Sequence, residues 1–196
     1  VAKLDDGKTE EFGGAYDMTG PEPPEKSLVL VAPFDGIGGA RRALEIIGVK
    51  PALYISIDSD QCCRKVVSEN WPDAMCFDSV SAMDAETLKN ALSTVPTLET
   101  GLVVGGPPCQ GFSGLNRMRK GFADPRSGCI EAFAELFDTL KGVAPHIQWD
   151  CLMENVASMK MEHRDGISDI LSRTGARNCY WFDAAILGHI NRPRLY

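Results

Sequence analysis

The sequence predicts an α/β fold built on a doubly wound, mostly parallel sheet, and three observations carry that prediction. Near-continuous apolar runs at residues 27–34 and 53–57 suit strands buried on both faces. Segments of helical spacing separate such runs, so strand and helix alternate along the chain, as crossover connections require. A composition of 44% hydrophobic and 24% charged residues over 196 positions supplies enough apolar surface for one domain with its own core.

Residues 1–26 mix Asp, Glu and Gly with Pro21, Pro23 and Pro24 and show no apolar period. They read as an acidic, disordered tail ahead of a domain spanning 27–196. The first strand, 27–34, leads through a glycine turn into a helix over 41–47 that Gly48 stops. Residues 53–57 and 61–70 form the second strand and helix, and a short third strand at 75–77 precedes a helix over 85–93. The fourth strand, 102–104, runs into a loop rich in Gly, Pro and Ser from 105 to 128. Residues 130–142 are helical, because Phe133, Leu136, Phe137 and Leu140 share one face. Residues 151–153 are the fifth strand, 166–173 a helix and 180–186 the sixth strand, and Arg194-Leu195-Tyr196 opens a further one. In such sheets ligands bind beyond the carboxyl ends of the strands.

The formal net charge of −7 argues against a chain that coats nucleic acid through bulk charge, while leaving room for a local basic groove. Three lysines against seven carboxylates in residues 1–27 account for more than half of it. No apolar run approaches the ~18 residues of a membrane-spanning helix, and no basic-then-apolar leader opens the chain. The cysteines Cys62, Cys63, Cys76, Cys109, Cys129, Cys151 and Cys179 are odd in number and lack Cys-x-x-Cys spacing, so neither a metal site nor a disulfide framework is expected. An intracellular protein is the expectation, nuclear if the source is eukaryotic.

Phe34-Asp35-Gly36-Ile37-Gly38-Gly39 occupies the first strand-to-helix turn, where glycines admit a ligand to the backbone and the next helix offers free amides. Arg41 stands where a dinucleotide fingerprint needs its third glycine, which weakens a nicotinamide reading. Asp58 ends the second strand about twenty residues on, the place of a carboxylate that binds both ribose hydroxyls. Asp78 ends the third strand, where a carboxylate can receive an adenine amino group. Singly, each is compatible with a plain tight turn, a helix cap or a solvated carboxylate. Three such strand ends in register indicate a nucleoside-containing cofactor.

The fourth strand ends in Gly105-Gly106-Pro107-Pro108-Cys109-Gln110-Gly111-Phe112-Ser113. An arbitrary cysteine is a small buried hydrophobe; pinned between Pro108 and Gln110 beside a cofactor crevice, Cys109 is a candidate nucleophile. Glu154, in Glu154-Asn155-Val156 at the end of the fifth strand, suits a general acid or hydrogen-bond partner, or a solvated cap. Arg192 and Arg194 flank Pro193 and read on their own as surface charge.

In this order and spacing, the glycine turn, Asp58, Asp78, Pro107-Pro108-Cys109-Gln110, Glu154-Asn155-Val156 and Arg192-Pro193-Arg194 resemble the cytosine-5 DNA methyltransferases over about residues 28–196. Arg119-Lys120-Gly121-Phe122, with the segments through Met159 and from Arg164 to Ser168, is similar to the eukaryotic de novo subgroup. The resemblance implies a Rossmann-like, S-adenosylmethionine-dependent methyltransferase fold. It implies methylation of carbon 5 of cytosine in double-stranded DNA, on a base flipped out of the stack. Cys109 is then the nucleophile that forms a covalent adduct at carbon 6. Glu154 engages ring nitrogen 3 and the exocyclic amine, and Arg194 with Arg192 holds the base oxygen. The cofactor's methionine end lies over Phe34, Asp35, Gly36, Ile37, Gly38 and Gly39, its ribose on Asp58 and its adenine near Asp78, with Pro107 beside the same crevice. Gln110, Ser113, Arg117, Arg119, Lys120 and Arg126 are the implied nucleic-acid contacts, in a loop that closes over the flipped base. No metal is implied. The chain departs from the family at Ile190, where Gln is frequent, at Cys129, where Leu is, and at Ser59, where a bulky residue often stacks on adenine.

The family's target-recognition region and its Gly-Asn-Ser-Val-like ending have no counterpart, so the chain is expected to be truncated at the C terminus. That region, or a partner chain carrying it, is then expected to supply target recognition. Three rivals rank lower. The tRNA-directed branch carries a Cys-Phe-Thr signature that Cys179-Tyr180-Trp181-Phe182 does not match. Intact Cys109, Glu154 and Arg194 stand against a non-catalytic scaffold, whereas the missing C-terminal region favours an incomplete gene product. Arg41 and the Pro-Cys-Gln loop stand against a nicotinamide dehydrogenase.

Overall fold

A computed structural model of the chain describes residues 2–4, 9–10, 27–118, 120–175, 180–183 and 193–196. Two short strands, β1 (Ala2–Leu4) and β2 (Thr9–Glu10), precede an alternating core. The core runs β3 (Leu28–Pro33), α1 (Gly39–Ile46), β4 (Leu53–Ile57), α2 (Gln61–Asn70), β5 (Met75–Phe77), α3 (Ala85–Ser93) and β6 (Thr100–Gly105). After the long loop come α4 (Gly128–Val143), β7 (Gln148–Met153), β8 (Asn155–Val156), α5 (Met161–Ser172), β9 (Tyr180–Asp183) and β10 (Pro193–Leu195).

Five strands form a wholly parallel sheet in the order β5-β4-β3-β6-β7. From β3 the chain winds outward through β4 and β5, then returns to the other side of β3 for β6 and β7. The order therefore reverses between β3 and β6, which is where a doubly wound sheet opens a crevice. Side-chain alternation fills both faces. Val29, Val31, Ile55 and Val103 pack with Leu88 of α3 and with Phe133, Phe137 and Leu140 of α4. Leu30, Ala32 and Tyr54 point the other way, against Val67 of α2 and Leu44 of α1. No helix among the described residues is long and apolar enough to cross a membrane.

Two expectations need correction. The sixth strand does not extend the parallel sheet: β9 pairs antiparallel with β10 and with β1, in a second sheet ordered β2-β1-β9-β10-β8. Only nine residues separate Asp183 from Pro193, fewer than the dozen or so that a parallel crossover requires. The supposed tail contributes β1 and β2, with Lys3 opposite Trp181 and Leu4 opposite Tyr180. Pairing onto an open strand edge uses backbone groups and needs no apolar period. Of residues 1–26, the others lie outside the described residues.

Candidate functional site

The turn after β3 coils because three of its residues take left-handed backbone: Phe34 at φ 58°, Gly36 at φ 59° and Gly38 at φ 86°. Gly36 N donates to Asp58 Oδ2 at 2.8 Å, and Asp60 N donates to Asp58 Oδ1 at 2.9 Å. Asp58 N in turn donates to Phe77 O at 3.1 Å, so the ends of β3, β4 and β5 are stitched together. Arg64 adds a bond from Nη1 to Asp58 O at 2.6 Å. Each Asp58 oxygen accepts one backbone N–H and retains capacity for a second donor. Space is open over Gly36 and Gly39, where an added Cβ meets nothing within 4 Å. A ribose over this turn, hydrogen-bonded to Asp58, fits these residues. Ile37 is exposed on the turn and Asp78 is exposed beyond β5.

Within the turn, the Asp35 side chain is directed into the protein. Its carboxyl turns inward and accepts from the Tyr54 hydroxyl and from Ser56 Oγ. Burial pushes this carboxyl above the usual range, against the lowering pull of the Ser56 and Tyr54 hydrogen bonds, and the nearby Asp58 charge adds to the rise. Burial likewise pushes the Tyr54 phenol upward, helped by Asp35. A serine in the middle of the apolar strand 53–57 was the signal in the sequence, since a buried hydroxyl needs a partner.

Beyond β6, Pro107 is buried and Cys109 is half-buried against the core. Phe112 N and Ser113 N both donate to Cys109 O at 2.9 Å, so the cysteine heads a tight turn. The loop closes at its base, where Gly121 N donates to Gly111 O at 2.9 Å and Ser127 Oγ donates to Gly121 O at 2.7 Å. Phe112 meets Phe122 edge-on at 5.2 Å, and His163 of α5 meets Phe112 at 5.4 Å and Phe122 at 5.9 Å. Above that base, Gln110, Leu115, Arg117, Met118 and Lys120 are exposed. Ser113 is buried, its Oγ accepting from Leu115 N at 3.3 Å, and Gly114 N donates to Ser158 Oγ at 2.9 Å. Sequence reasoning missed both Ser158 and His163, which meet the loop only through the fold.

Arg126 is exposed, yet its guanidinium is engaged by a neighbouring carboxylate. Its Nε and Nη2 donate to Asp124 Oδ1 and Oδ2 at 2.8 and 2.7 Å. Those bonds, with Arg126 N, hold the Asp124 carboxyl at about 2. The Asp124 bonds favour the charged guanidinium, and nearby Cys109 adds to that preference. Besides its expected nucleic-acid contact, Arg126 thus forms a fork with Asp124 at the end of the loop. Arg119 lies outside the described residues.

Glu154 follows β7 and is tied to the start of the cysteine loop by its N–H, which donates to Gly105 O at 2.9 Å. A Cβ on Gly106 would stand 3.0 Å from Glu154 Oε2, so the carboxyl lies over the loop's first residues. Antiparallel pairing of β8 with β10, Arg194 opposite Val156, delivers Arg194 to the same place. There Arg194 Nε pairs with Glu154 Oε1. Arg192 lies outside the described residues. The fold thus gathers the cysteine loop, Glu154 and Arg194 at the carboxyl ends of β6 and β7, beside the turn that follows β3. Burial raises the thiols of Cys129 and Cys151, keeping both away from the thiolate form.

The model of the C-5 cytosine-specific DNA methylase family matches residues 31–186. The chain is 31% identical over 136 residues to the type II methyltransferase M.AquIA of Picosynechococcus sp., across 69% of this chain and 50% of that protein. It is 32% identical over 124 residues to DNA (cytosine-5)-methyltransferase 4 of Arabidopsis thaliana, across 50% of this chain and 8% of that protein. Among solved structures, the Entamoeba histolytica methyltransferase EhMeth shares the fold with a TM-score of 0.60 at 18% identity, covering 87% of this chain and 52% of the other. A DNMT2 of Spodoptera frugiperda does so with a TM-score of 0.57 at 21% identity, covering 86% and 48%. The chain therefore spans about half or less of the length of these relatives.

Proposed function

The chain belongs to the C-5 cytosine-specific DNA methylase family, and from that premise we propose that it forms a catalytic core transferring a methyl group from S-adenosylmethionine to carbon 5 of cytosine in double-stranded DNA. The observation that carries this reading is the convergence of the Cys109 loop with the paired Glu154 and Arg194, next to a turn that is tied to Asp58 and has open space over Gly36 and Gly39. When bound, S-adenosylmethionine supplies an electrophilic methyl group on a sulfonium centre. Asp58 holds the ribose, and the turn from Phe34 to Gly39 lies under the methionine end.

Neither ring face of a stacked cytosine is reachable, so the target base enters the site flipped out of the duplex. Cys109, as thiolate, adds to carbon 6 and moves the electrons of the C5–C6 double bond onto carbon 5. Glu154 holds ring nitrogen 3 and the exocyclic amine, and Arg194 turns from Glu154 toward the base oxygen. Once carbon 5 has taken the methyl group, loss of its proton and expulsion of Cys109 restore the double bond. Asp124 keeps Arg126 positioned at the base of the loop while the thiol reacts.

The test traps the adduct. Duplex DNA carrying 5-fluorocytosine cannot lose a proton from carbon 5, so incubation with the protein and S-adenosylmethionine leaves a covalent complex visible by denaturing electrophoresis and intact mass. Cys109→Ala is expected to abolish it, while Cys129→Ala and Cys151→Ala retain it. An adduct that survives in Cys109→Ala rejects the mechanism.

A further inference from the structure

The turn at residues 34–39 rests on an aromatic pair that the reaction scheme leaves unused. Gly38 lies against the indole of Trp71, at the end of α2: a Cβ on Gly38 would come within 2.2 Å of Trp71 Cζ3 and 2.9 Å of Cη2. The ring is fixed from several sides. Its Nε1 donates to Glu45 Oε1 on α1 at 2.8 Å. Arg41, one turn earlier on α1 and only 3% exposed, stands over the ring at 6.0 Å and pairs with the same Glu45 oxygen at 3.2 Å. The Tyr54 ring meets the indole edge-on at 6.0 Å and 84°, while the Tyr54 hydroxyl donates to Asp35.

Two ends of one turn therefore lean on one stacked pair. Asp35 is held by the Tyr54 hydroxyl and Gly38 by the Trp71 face. Between them, Gly36 N is held by Asp58. With Gly38 at φ 86°, the backbone can neither carry a side chain there nor sink further toward α2. Arg41 now has a purpose: at the position that disqualified a dinucleotide fingerprint, its guanidinium braces the indole.

We propose that Trp71, supported by Tyr54, is a positioning residue for the nucleoside cofactor, setting the backbone of residues 35–39 without touching the ligand. This rests on the reading of that turn as the S-adenosylmethionine site. Loosening the support makes ligand binding bear the entropy of ordering the turn. The distinguishing signature is a loss of cofactor affinity beyond what an equally buried truncation on the other face of the sheet produces.

The experiment is calorimetric titration of the 196-residue chain with S-adenosylhomocysteine, together with thermal unfolding, for wild type and four variants. Trp71→Leu is expected to bind roughly 5- to 30-fold more weakly, equivalent to releasing the backbone of about one residue of the turn. Trp71→Phe keeps a ring against Gly38 and is expected to restore most of the affinity. Leu140→Ala truncates a fully buried side chain on α4, in the core cluster on the opposite face of the sheet from Trp71 and Tyr54; it is expected to lower thermal stability and spare affinity. Tyr54→Phe, which deletes only the hydroxyl donated to Asp35, is expected to weaken binding and decides the matter should Trp71→Leu fail to fold. Wild-type affinity in Trp71→Leu or, if that variant does not fold, in Tyr54→Phe, overturns the positioning role. An equal loss in Leu140→Ala does the same. A wild-type chain that does not bind S-adenosylhomocysteine overturns the cofactor reading itself, and the positioning role with it.

Discussion

Asp35 exchanges water for two hydroxyl donors, and burial still outweighs them, so its folded-state pKa lies above that of the unfolded chain. The folded protein therefore holds this proton more tightly. The associated stability is fully present below the unfolded value, about 4, and is lost as pH rises through the raised folded value. Asp35→Asn keeps an acceptor oxygen for Tyr54 and Ser56 and removes the titration. Its melting temperature is expected to gain on the wild type as pH is raised from about 4 to 7. Titrations common to both proteins cancel in that comparison, and a difference that stays flat or shrinks with pH would count against the assignment. At this scale the sequence revealed residue types better than directions. It singled out Asp58, Cys109, Glu154 and Arg194, which the fold brings to neighbouring strand ends. It could not tell that Asp35 faces inward or that Arg126 is forked by Asp124, because both depend on which neighbour a side chain reaches first.

The cysteine loop is the element on which the proposed chemistry depends, and its base is closed by a single left-handed glycine. Gly121 has φ 57°, and a Cβ there would lie 2.2 Å from His163 Nε2. Gly121→Ala carries a left-handed penalty of roughly 1–2 kcal/mol and displaces His163 from its contacts with Phe112 and Phe122. The expected result is faster hydrogen exchange across residues 111–121, with the amides of α4 around Phe133 and Leu140 still protected. Unchanged protection in the loop would show that the base is held elsewhere. Local rules read most elements well, because β4, α2, β5 and α3 each carry their own period and stop signals. They failed at α5, which begins at Met161 and not at Gly166. Gly166 looks like a breaker in the sequence, yet it lies mid-helix, where a Cβ would come within 2.7 Å of the Phe122 ring. The same rules did not anticipate β8, whose two residues gain strand geometry only by pairing with β10.

For the whole molecule, the parallel core follows from apolar runs that any buried sheet needs, whereas the second sheet joins β1 to β9 across most of the chain and leaves no local trace. Charge is the property that bears most directly on how this molecule would meet the proposed DNA substrate. A net charge of −7 supplies no long-range attraction, so binding must rest on a few cations at the loop. Arg117 and Lys120 are exposed there, Arg119 lies between them in sequence, and Arg126 is committed to Asp124. Each phosphate neutralised on a duplex contributes about −0.9 to the slope of log K against log salt. Two or three contacts predict a slope of roughly −2 to −3, with dissociation constants on the order of 10⁻⁴ to 10⁻⁶ M. Fluorescence anisotropy with a labelled duplex across a salt series measures both. Arg117→Ala and Lys120→Ala are each expected to bring the slope closer to zero by about 0.9, and Arg126→Ala to leave it unchanged. Duplexes of unrelated sequence are expected to bind this chain alike, because these cations meet phosphates and carry no contact to base edges. A slope of about −5 or steeper would mean that the duplex is gripped well beyond the loop. A reproducible preference for one sequence would mean that base-reading side chains already reside in these 196 residues.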